Sequence, residues 1–250
     1  MEESFNNIAH HFPEPFRLLV RESAKSTNDE LRLLAQNGAP DGLTLLALTQ
    51  TDGRGRRGAS WFSPPGDALA FSILVRPQEP KSLWPRLALA AGLAVAEAAE
   101  SFGCTAGIKW PNDIWIQRRK VAGILVEAGQ DFAIIGIGIN VHTTEFPEEL
   151  SDIATSLGLS SSSATTRAEV LEAIIRRFAL RRHQINEDFP HLIRSVRQRC
   201  VLTDHQVSLN TASGPLQGTV QGIADGGELL LRTSTGLISL IQADEVRIID

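Results

Sequence analysis

Gly53-Arg54-Gly55-Arg56-Arg57-Gly58, with Trp61-Phe62-Ser63-Pro64-Pro65-Gly66 close behind it, is the stretch on which the fold turns. It follows Leu43 to Thr49, a continuous apolar run short enough for a buried strand. Its form matches G-x-G-x-x-G, the dinucleotide fingerprint of a doubly wound sheet. That fingerprint has to open into a helix, and here two prolines and a glycine deny one. Arginine at the variable positions also suits a close-packed turn poorly. The stretch reads instead as a flexible loop carrying fixed positive charge. Its glycines let backbone approach a ligand, and its guanidinium groups can grip carboxylate or phosphate in bidentate fashion. The plainer alternative is a solvated basic turn.

Upstream, Ser26-Thr27-Asn28-Asp29-Glu30 precedes Leu31, Leu33, Leu34 and Ala35, a helix N-terminus that Gly38 and Pro40 bring to a stop. Residues 1–17, punctuated by Pro13 and Pro15, read as a short, weakly ordered lead-in. Downstream, Ala68 to Val75 reads as a strand and Leu83 to Phe102 as an Ala- and Leu-rich helix. Ile108 to Ile116 and Lys120 to Glu127 read as strands joined at Gln117-Arg118-Arg119, and Asp131 to Val141 as a further strand. Residues 144–165 look loop-like. Arg167 to Asn186 has Val170, Leu171, Ile174, Ile175 and Phe178 on one helical face. After Pro190 the composition shifts. From Val201 on, short β-like runs alternate with turn signals at 211–215, 224–227 and 234–236, the pattern of a small all-β barrel. The expected division is a lead-in at 1–17, a catalytic domain at 18–195 and a C-terminal barrel at 196–250.

Composition narrows the function classes. The chain has 250 residues, 42% of them hydrophobic, and a net charge of −5. That is enough for a sizeable core in one or two domains. A mild acidic balance argues against bulk nucleic-acid binding. No apolar run is long enough to span a membrane. The acidic, polar N-terminus is no secretory signal, so a cytoplasmic protein is expected. Cys104 and Cys200 fit no zinc or redox spacing, and the scattered histidines show no metal-ligand pattern.

Three further motifs stand out. Lys109-Trp110-Pro111-Asn112-Asp113 is an improbable surface turn whose Asn and Asp can bond locally or face a polar ligand. Lys120 starts the apolar run Val121-Ala122-Gly123-Ile124-Leu125-Val126-Glu127. Its ammonium could reach a pocket edge, although a lysine there is more often simply solvated. Gly136-Ile137-Gly138-Ile139-Asn140 places glycines inside a strand, where something must approach closely, and an Asn in apolar surroundings that needs a partner.

Taken in order, Ser26-Thr27-Asn28, Gln50-Thr51-Asp52 with the Gly/Arg loop and Trp61, Lys109 to Asp113, Lys120 to Glu127, Gly136 to Asn140 and a small β domain resemble the biotin protein ligases. The resemblance covers about residues 20–250. It implies an α+β fold: a mixed β-sheet flanked by helices, as in class II aminoacyl-tRNA synthetases, followed by a small SH3-like β-barrel. It implies an enzyme, a biotin–[acetyl-CoA-carboxylase] ligase. Such an enzyme uses ATP and Mg²⁺ to make biotinyl-5′-AMP, then acylates one lysine of an apo biotin carboxyl carrier protein.

The matching positions carry implied roles. Ser26, Thr27, Asn28 and Gln50 would line the biotin site, and Gly123 would leave room beside the bicycle. Arg54, Gly55 and Arg56 would close over biotin and the adenylate phosphate, and Lys120 would touch both carboxylate and phosphate. Trp61, Lys109, Asn112 and Asn140 would belong to the ATP side. No metal ligand is assigned, and residues 144–158, with Ala154-Thr155-Ser156-Leu157, are a candidate adenine loop. Arg54, Arg56 and Lys120 would be the catalytic cations, because bringing a carboxylate to a triphosphate needs fixed positive charge.

Asp52 departs from the small residue usual before the loop, and an acid there could weaken or pre-orient Arg54. Residues 1–20 cannot hold the winged helix-turn-helix of bifunctional members. The monofunctional type is therefore expected, with no DNA partner and no membrane. The resemblance also allows a homodimer paired through strands of the catalytic sheet, with Gly136 to Val141 as a candidate strand, while the sequence leaves the oligomeric state open. The rivals are a lipoate or octanoate protein ligase of the same fold and a non-catalytic biotin-binding or nucleic-acid-binding protein.

Overall fold

Ser26 adopts extended backbone and caps a helix whose first turn carries Asp29 and Glu30, acids that suit the positive helix N-terminus. That local choice sets the architecture around it in the computed structural model, which describes residues 5–211 and 214–250. In chain order the elements are α1 (Phe5–Ile8), β1 (Arg17–Ala24), α2 (Thr27–Gln36), β2 (Leu43–Gln50), β3 (Ala68–Val75), α3 (Arg86–Ser101), β4 (Gly107–Lys109), β5 (Asp113–Ile116), β6 (Arg119–Ala128) and β7 (Ala133–Asn140). They continue with α4 (Leu157–Ser160), α5 (Arg167–Glu187), α6 (Phe189–Arg199), β8 (Gln206–Thr211), β9 (Gly214–Ile223), β10 (Leu229–Thr233), β11 (Gly236–Leu240) and β12 (Val246–Ile248).

Seven strands form one sheet in the order β1-β2-β3-β7-β6-β5-β4. β1 and β2 run parallel and every other neighbour pair is antiparallel, so the sheet is mixed, as expected. All of β3 is buried because it is covered on both faces. Leu69, Phe71, Ile73 and Val75 face the main core under α3 and α5, whereas Leu74 packs with Leu31, Ala35, Leu45, Phe132 and Ile134 beneath α2. Ala90, Ala91, Ala94 and Ala98 of α3 are fully buried, and their small side chains let neighbouring elements approach closely. The remaining strands form a five-stranded antiparallel sheet, β11-β10-β9-β8-β12. Its Val207, Leu209, Val220, Leu229, Leu231 and Val246 are continuous with the main core. Trp110 Nε1 donates to Gly227 O at 3.1 Å across the junction.

Several expectations change. Residues 5–16 are packed rather than weakly ordered. Phe5, Ile8, Phe12 and Phe16 are buried in the main core, and Phe16 meets Phe178 edge-on at 5.9 Å. The strand expected from Ile108 to Ile116 is two, because Trp110-Pro111-Asn112 turns the chain and Pro111 offers no ladder donor. β1 and α6 were not expected. Pro190, read as the start of a new region, sits in the first turn of α6, where a missing N–H costs nothing, and Asp188 caps that helix. α6 runs on through the 195/196 boundary expected from composition. Within 144–165 lie α4 and one 3₁₀ turn, Glu148–Leu150. The Gly136 to Val141 strand, a candidate for pairing copies of the chain, is the interior strand β7, with β3 and β6 on its two edges. The first barrel turn, at Ala212-Ser213, lies outside the described residues.

α5 starts with a capping box. The Thr166 hydroxyl accepts from the Glu169 N–H, and the Glu169 carboxylate accepts from the Thr166 N–H at 2.7 Å. These bonds hold the Glu169 carboxyl below its ordinary pKa, with the Thr166 backbone bond the largest cause. Thr166→Ala is expected to cost about 1 kcal/mol of stability. A depressed carboxylate contributes above its unfolded pKa and loses that contribution as pH falls through the folded one. Thr166→Ala keeps the backbone bond but removes the hydroxyl's own 2.8 Å bond to that carboxylate, so the gap between wild type and variant in urea melts is expected to narrow slightly on acidification below the ordinary Glu range.

Candidate functional site

Where α2, the end of β2, the Gly/Arg loop, β6, β7 and the C-terminal sheet converge lies a cavity of about 930 Å³. The residues given biotin and ATP roles from the sequence line it, as does Ala154 of the candidate adenine loop, whereas Thr155, Ser156 and Leu157 do not. Which residues they partner inside it was not foreseen.

The floor is neutral and buried. Ser26, Thr27 and Asn28 are each no more than 5% exposed. Thr27 donates to Gln50 Oε1 from its backbone N–H at 2.9 Å and from its hydroxyl at 3.2 Å. The Ser72 hydroxyl stands 2.7 Å from Thr27 Oγ1 and 2.6 Å from Asn28 Oδ1. Ser72 was missed, yet a lone hydroxyl in Ala68 to Val75 is a polar group that burial obliges to find a partner. The glycines of β7 are explained by close approach. A Cβ on Gly136 would collide with the Asn28 amide, and one on Gly138 with the Trp61 indole. On β6, a Cβ at Gly123 would stand 3.2 Å from both Lys120 Cε and Trp61.

The cations sit above this floor in two groups. Lys120 Nζ pairs with Asp113 at 2.7 Å and lies 5.5 Å from the centre of the Trp61 ring. Arg56 donates to Asn112 Oδ1 at 3.1 Å and to Ala243 O at 2.7 Å. Burial lowers the Arg56 pKa, opposed by nearby Asp113. A guanidinium stays charged regardless. Asn112 is itself fixed, donating to Ile124 O at 3.0 Å. Lys109 lies 4.5 Å from the centre of the Trp115 ring, and burial, the largest cause, pushes its pKa down. Arg54 stands apart from these groups. Its ion pairs are with Asp29 and, at 3.7 Å, with Glu127. The positive charge expected as one cluster is thus divided between the α2 side and the Asn112-Asp113 turn.

The loop itself is a closed hairpin. Trp61 N–H donates to Gly53 O at 2.9 Å and Gly55 N–H to Ala59 O at 2.6 Å. No helix follows it, as the prolines required. Arg57 takes positive φ and pairs with Asp244, so the segment leading into β12 holds the loop tip. Asn140 finds the partner its burial demanded, donating to Thr155 O at 3.0 Å. Its Oδ1 is buried and has no hydrogen-bond partner among the described residues. Ala154 of the candidate adenine loop bridges Lys120 in a short parallel contact. Asp113 and Glu127 lay inside quoted motifs without a role. Their importance shows only in the folded chain, where each neutralises a cation brought from elsewhere in the sequence. Among the described residues no cluster of His, Cys, Asp and Glu could hold a metal ion, and no helix is long and apolar enough to cross a membrane.

Comparison with known proteins gives two family matches. The Biotin/lipoate A/B protein ligase family matches residues 20–142, and the Biotin protein ligase C terminal domain matches residues 204–246. The chain is 36% identical to the Bifunctional ligase/repressor BirA of Bacillus subtilis, over 91% of this chain and 73% of that protein. It is 34% identical to the Biotin--[acetyl-CoA-carboxylase] ligase of Mycobacterium tuberculosis, over 89% of this chain and 86% of that protein. Among solved structures, biotin protein ligase from Aquifex aeolicus in complex with biotin and ATP matches with a TM-score of 0.84 and 32% identity. That match covers 92% of this chain and 98% of the other.

Proposed function

The chain belongs to the biotin/lipoate A/B protein ligase family, and we propose from that premise how its cavity carries out ATP-dependent ligation of biotin to a carrier protein. In the first step the biotin carboxylate attacks the α-phosphorus of ATP and pyrophosphate leaves. In the second the carrier lysine amine attacks the carbonyl of biotinyl-5′-AMP and AMP leaves. The observation that supports the reading best is one cavity with a neutral hydrogen-bonding floor and a cationic rim. The floor of Ser26, Thr27, Asn28 and Gln50 suits a polar, uncharged ureido ring. Lys120 and Arg56 would offset the repulsion between carboxylate and triphosphate as fixed, preorganised charge. No activated enzyme nucleophile is required, because the substrate carboxylate is the nucleophile.

Trp61, Lys109, Asn112 and Asn140 are assigned to the nucleotide side. The orphaned Asn140 Oδ1 supports this, since a buried acceptor without a donor calls for one from a ligand. Mg²⁺ is proposed to arrive on the polyphosphate, whose charge it would neutralise. Asp113, a carboxylate lining the cavity, would be available to help hold an ion that keeps its waters and phosphate ligands. The carrier is proposed to be the biotin carboxyl carrier of acetyl-CoA carboxylase. The catalytic unit is proposed to extend through α6, with residues from 200 onward forming the C-terminal module.

The test is incubation with biotin, MgATP and an apo carrier domain, read by mass spectrometry. The expected result is one biotinyl group gained on a single carrier lysine. Pyrophosphate exchange is expected with biotin, and exchange with lipoate alone would overturn the substrate assignment.

A further inference from the structure

The Glu127 carboxylate, at the far end of β6 from Lys120, stands between the cavity floor and the loop. Its two oxygens are divided between two tasks. Oε2 accepts from Asn28 Nδ2 at 2.7 Å. Oε1 faces Arg32 at 3.4 Å and Arg54 at 3.7 Å. Because an ionised carboxylate only accepts, it forces the Asn28 amide to turn its nitrogen toward Glu127 and its oxygen toward Ser72. The same side chain therefore sets the orientation of a floor amide that is 4% exposed and stands in ion-pair range of the first arginine of the Gly/Arg loop, whose hydrogen bond goes to Asp29.

We propose that Glu127 is a positioning residue that ties the ureido-binding floor to the closed loop, so that a ligand seated on Asn28 and the loop arginine Arg54 are held by one carboxylate. It touches no reacting atom and acts through Asn28 and Arg54. The proposal rests on placing biotinyl-5′-AMP in this cavity. A neutral amide at position 127 cannot perform both tasks. With its oxygen kept toward Asn28 Nδ2, it presents an NH₂ group to Arg54 and Arg32, donor against donor.

The chosen variants separate the two arms. Glu127→Gln is nearly isosteric and is expected to melt with the wild type and to bind biotin within about twofold of it in calorimetry. It is expected to lose biotinyl-5′-AMP about threefold faster in the absence of carrier, the scale of one partly exposed ion pair lost while Asp29 stays on Arg54. Glu127→Ala frees both arms and is expected to weaken biotin binding about tenfold as well. Arg54→Ala combined with Glu127→Gln is expected to release adenylate no faster than Arg54→Ala alone, since the two changes break one link. Adenylate retention by Glu127→Gln equal to wild type, or losses that multiply in the double variant, would overturn the proposal. Failure of the wild-type chain to form biotinyl-5′-AMP would instead overturn the functional reading beneath it.

Discussion

Lys120→Ala is expected to slow biotinyl-5′-AMP formation by roughly 10²–10³-fold, or about 3–4 kcal/mol of transition-state stabilisation, the loss typical of one preorganised charge donor. The side chain is placed for this. Its stem runs past Gly123 and its ammonium stands between Asp113 and the Trp61 ring. Its charge is neutralised by Asp113. A bound phosphate would compete for it, and Asp113 keeps the ammonium aimed until then. Stability is expected to change little, because the Lys120 side chain is 35% exposed and partly exposed ion pairs contribute about 1 kcal/mol or less. Pyrophosphate exchange and thermal melts on the same preparation check both halves. Exchange within about threefold of wild type would remove Lys120 from the chemistry.

Gly136→Val is expected to abolish useful biotin binding while leaving the nucleotide side intact. Even a single added carbon would overlap the Asn28 amide. That amide cannot step aside without breaking its bonds to Ser72 and Glu127, and a buried polar group left unpaired costs about 1–3 kcal/mol. Expelling Asn28 from the floor is expected to weaken biotin binding by roughly two orders of magnitude in calorimetry, consistent with that energy. Gly136→Ala is expected to do the same less severely. Unchanged biotin affinity in Gly136→Val would show that Asn28 is not part of the floor.

Much of the fold was legible because it is written in short-range patterns. Ala68 to Val75 read as a strand from its apolar run and is β3 residue for residue. A helix opening at Ser26 to Glu30 and stopped by Gly38 and Pro40 read from its cap and acids and is α2, Thr27–Gln36, and Pro64-Pro65 excluded a helix after the Gly/Arg loop. β1 escaped notice because Arg17 to Ala24 is an edge strand with mixed burial and carries no clean alternation. α6 escaped because proline at a helix start and proline as a breaker look alike in sequence.

For the site, the sequence by itself determined which side chains are present and where in the chain glycine is required. Both follow from residue type and neighbours a few positions away. The residues it named for biotin and ATP all lie around one cavity, although most of the Ala154 to Leu157 stretch does not. Tertiary structure alone decided the pairing. Arg54 meets Asp29 and Glu127, Ser72 meets Asn28, Lys120 meets Asp113, and Arg56 reaches the carbonyl of Ala243, 187 positions away. The physical reason is distance dependence. Hydrogen bonds and ion pairs act over a few ångströms, and strand register and loop closure, not sequence spacing, bring residues far apart in the chain within that range.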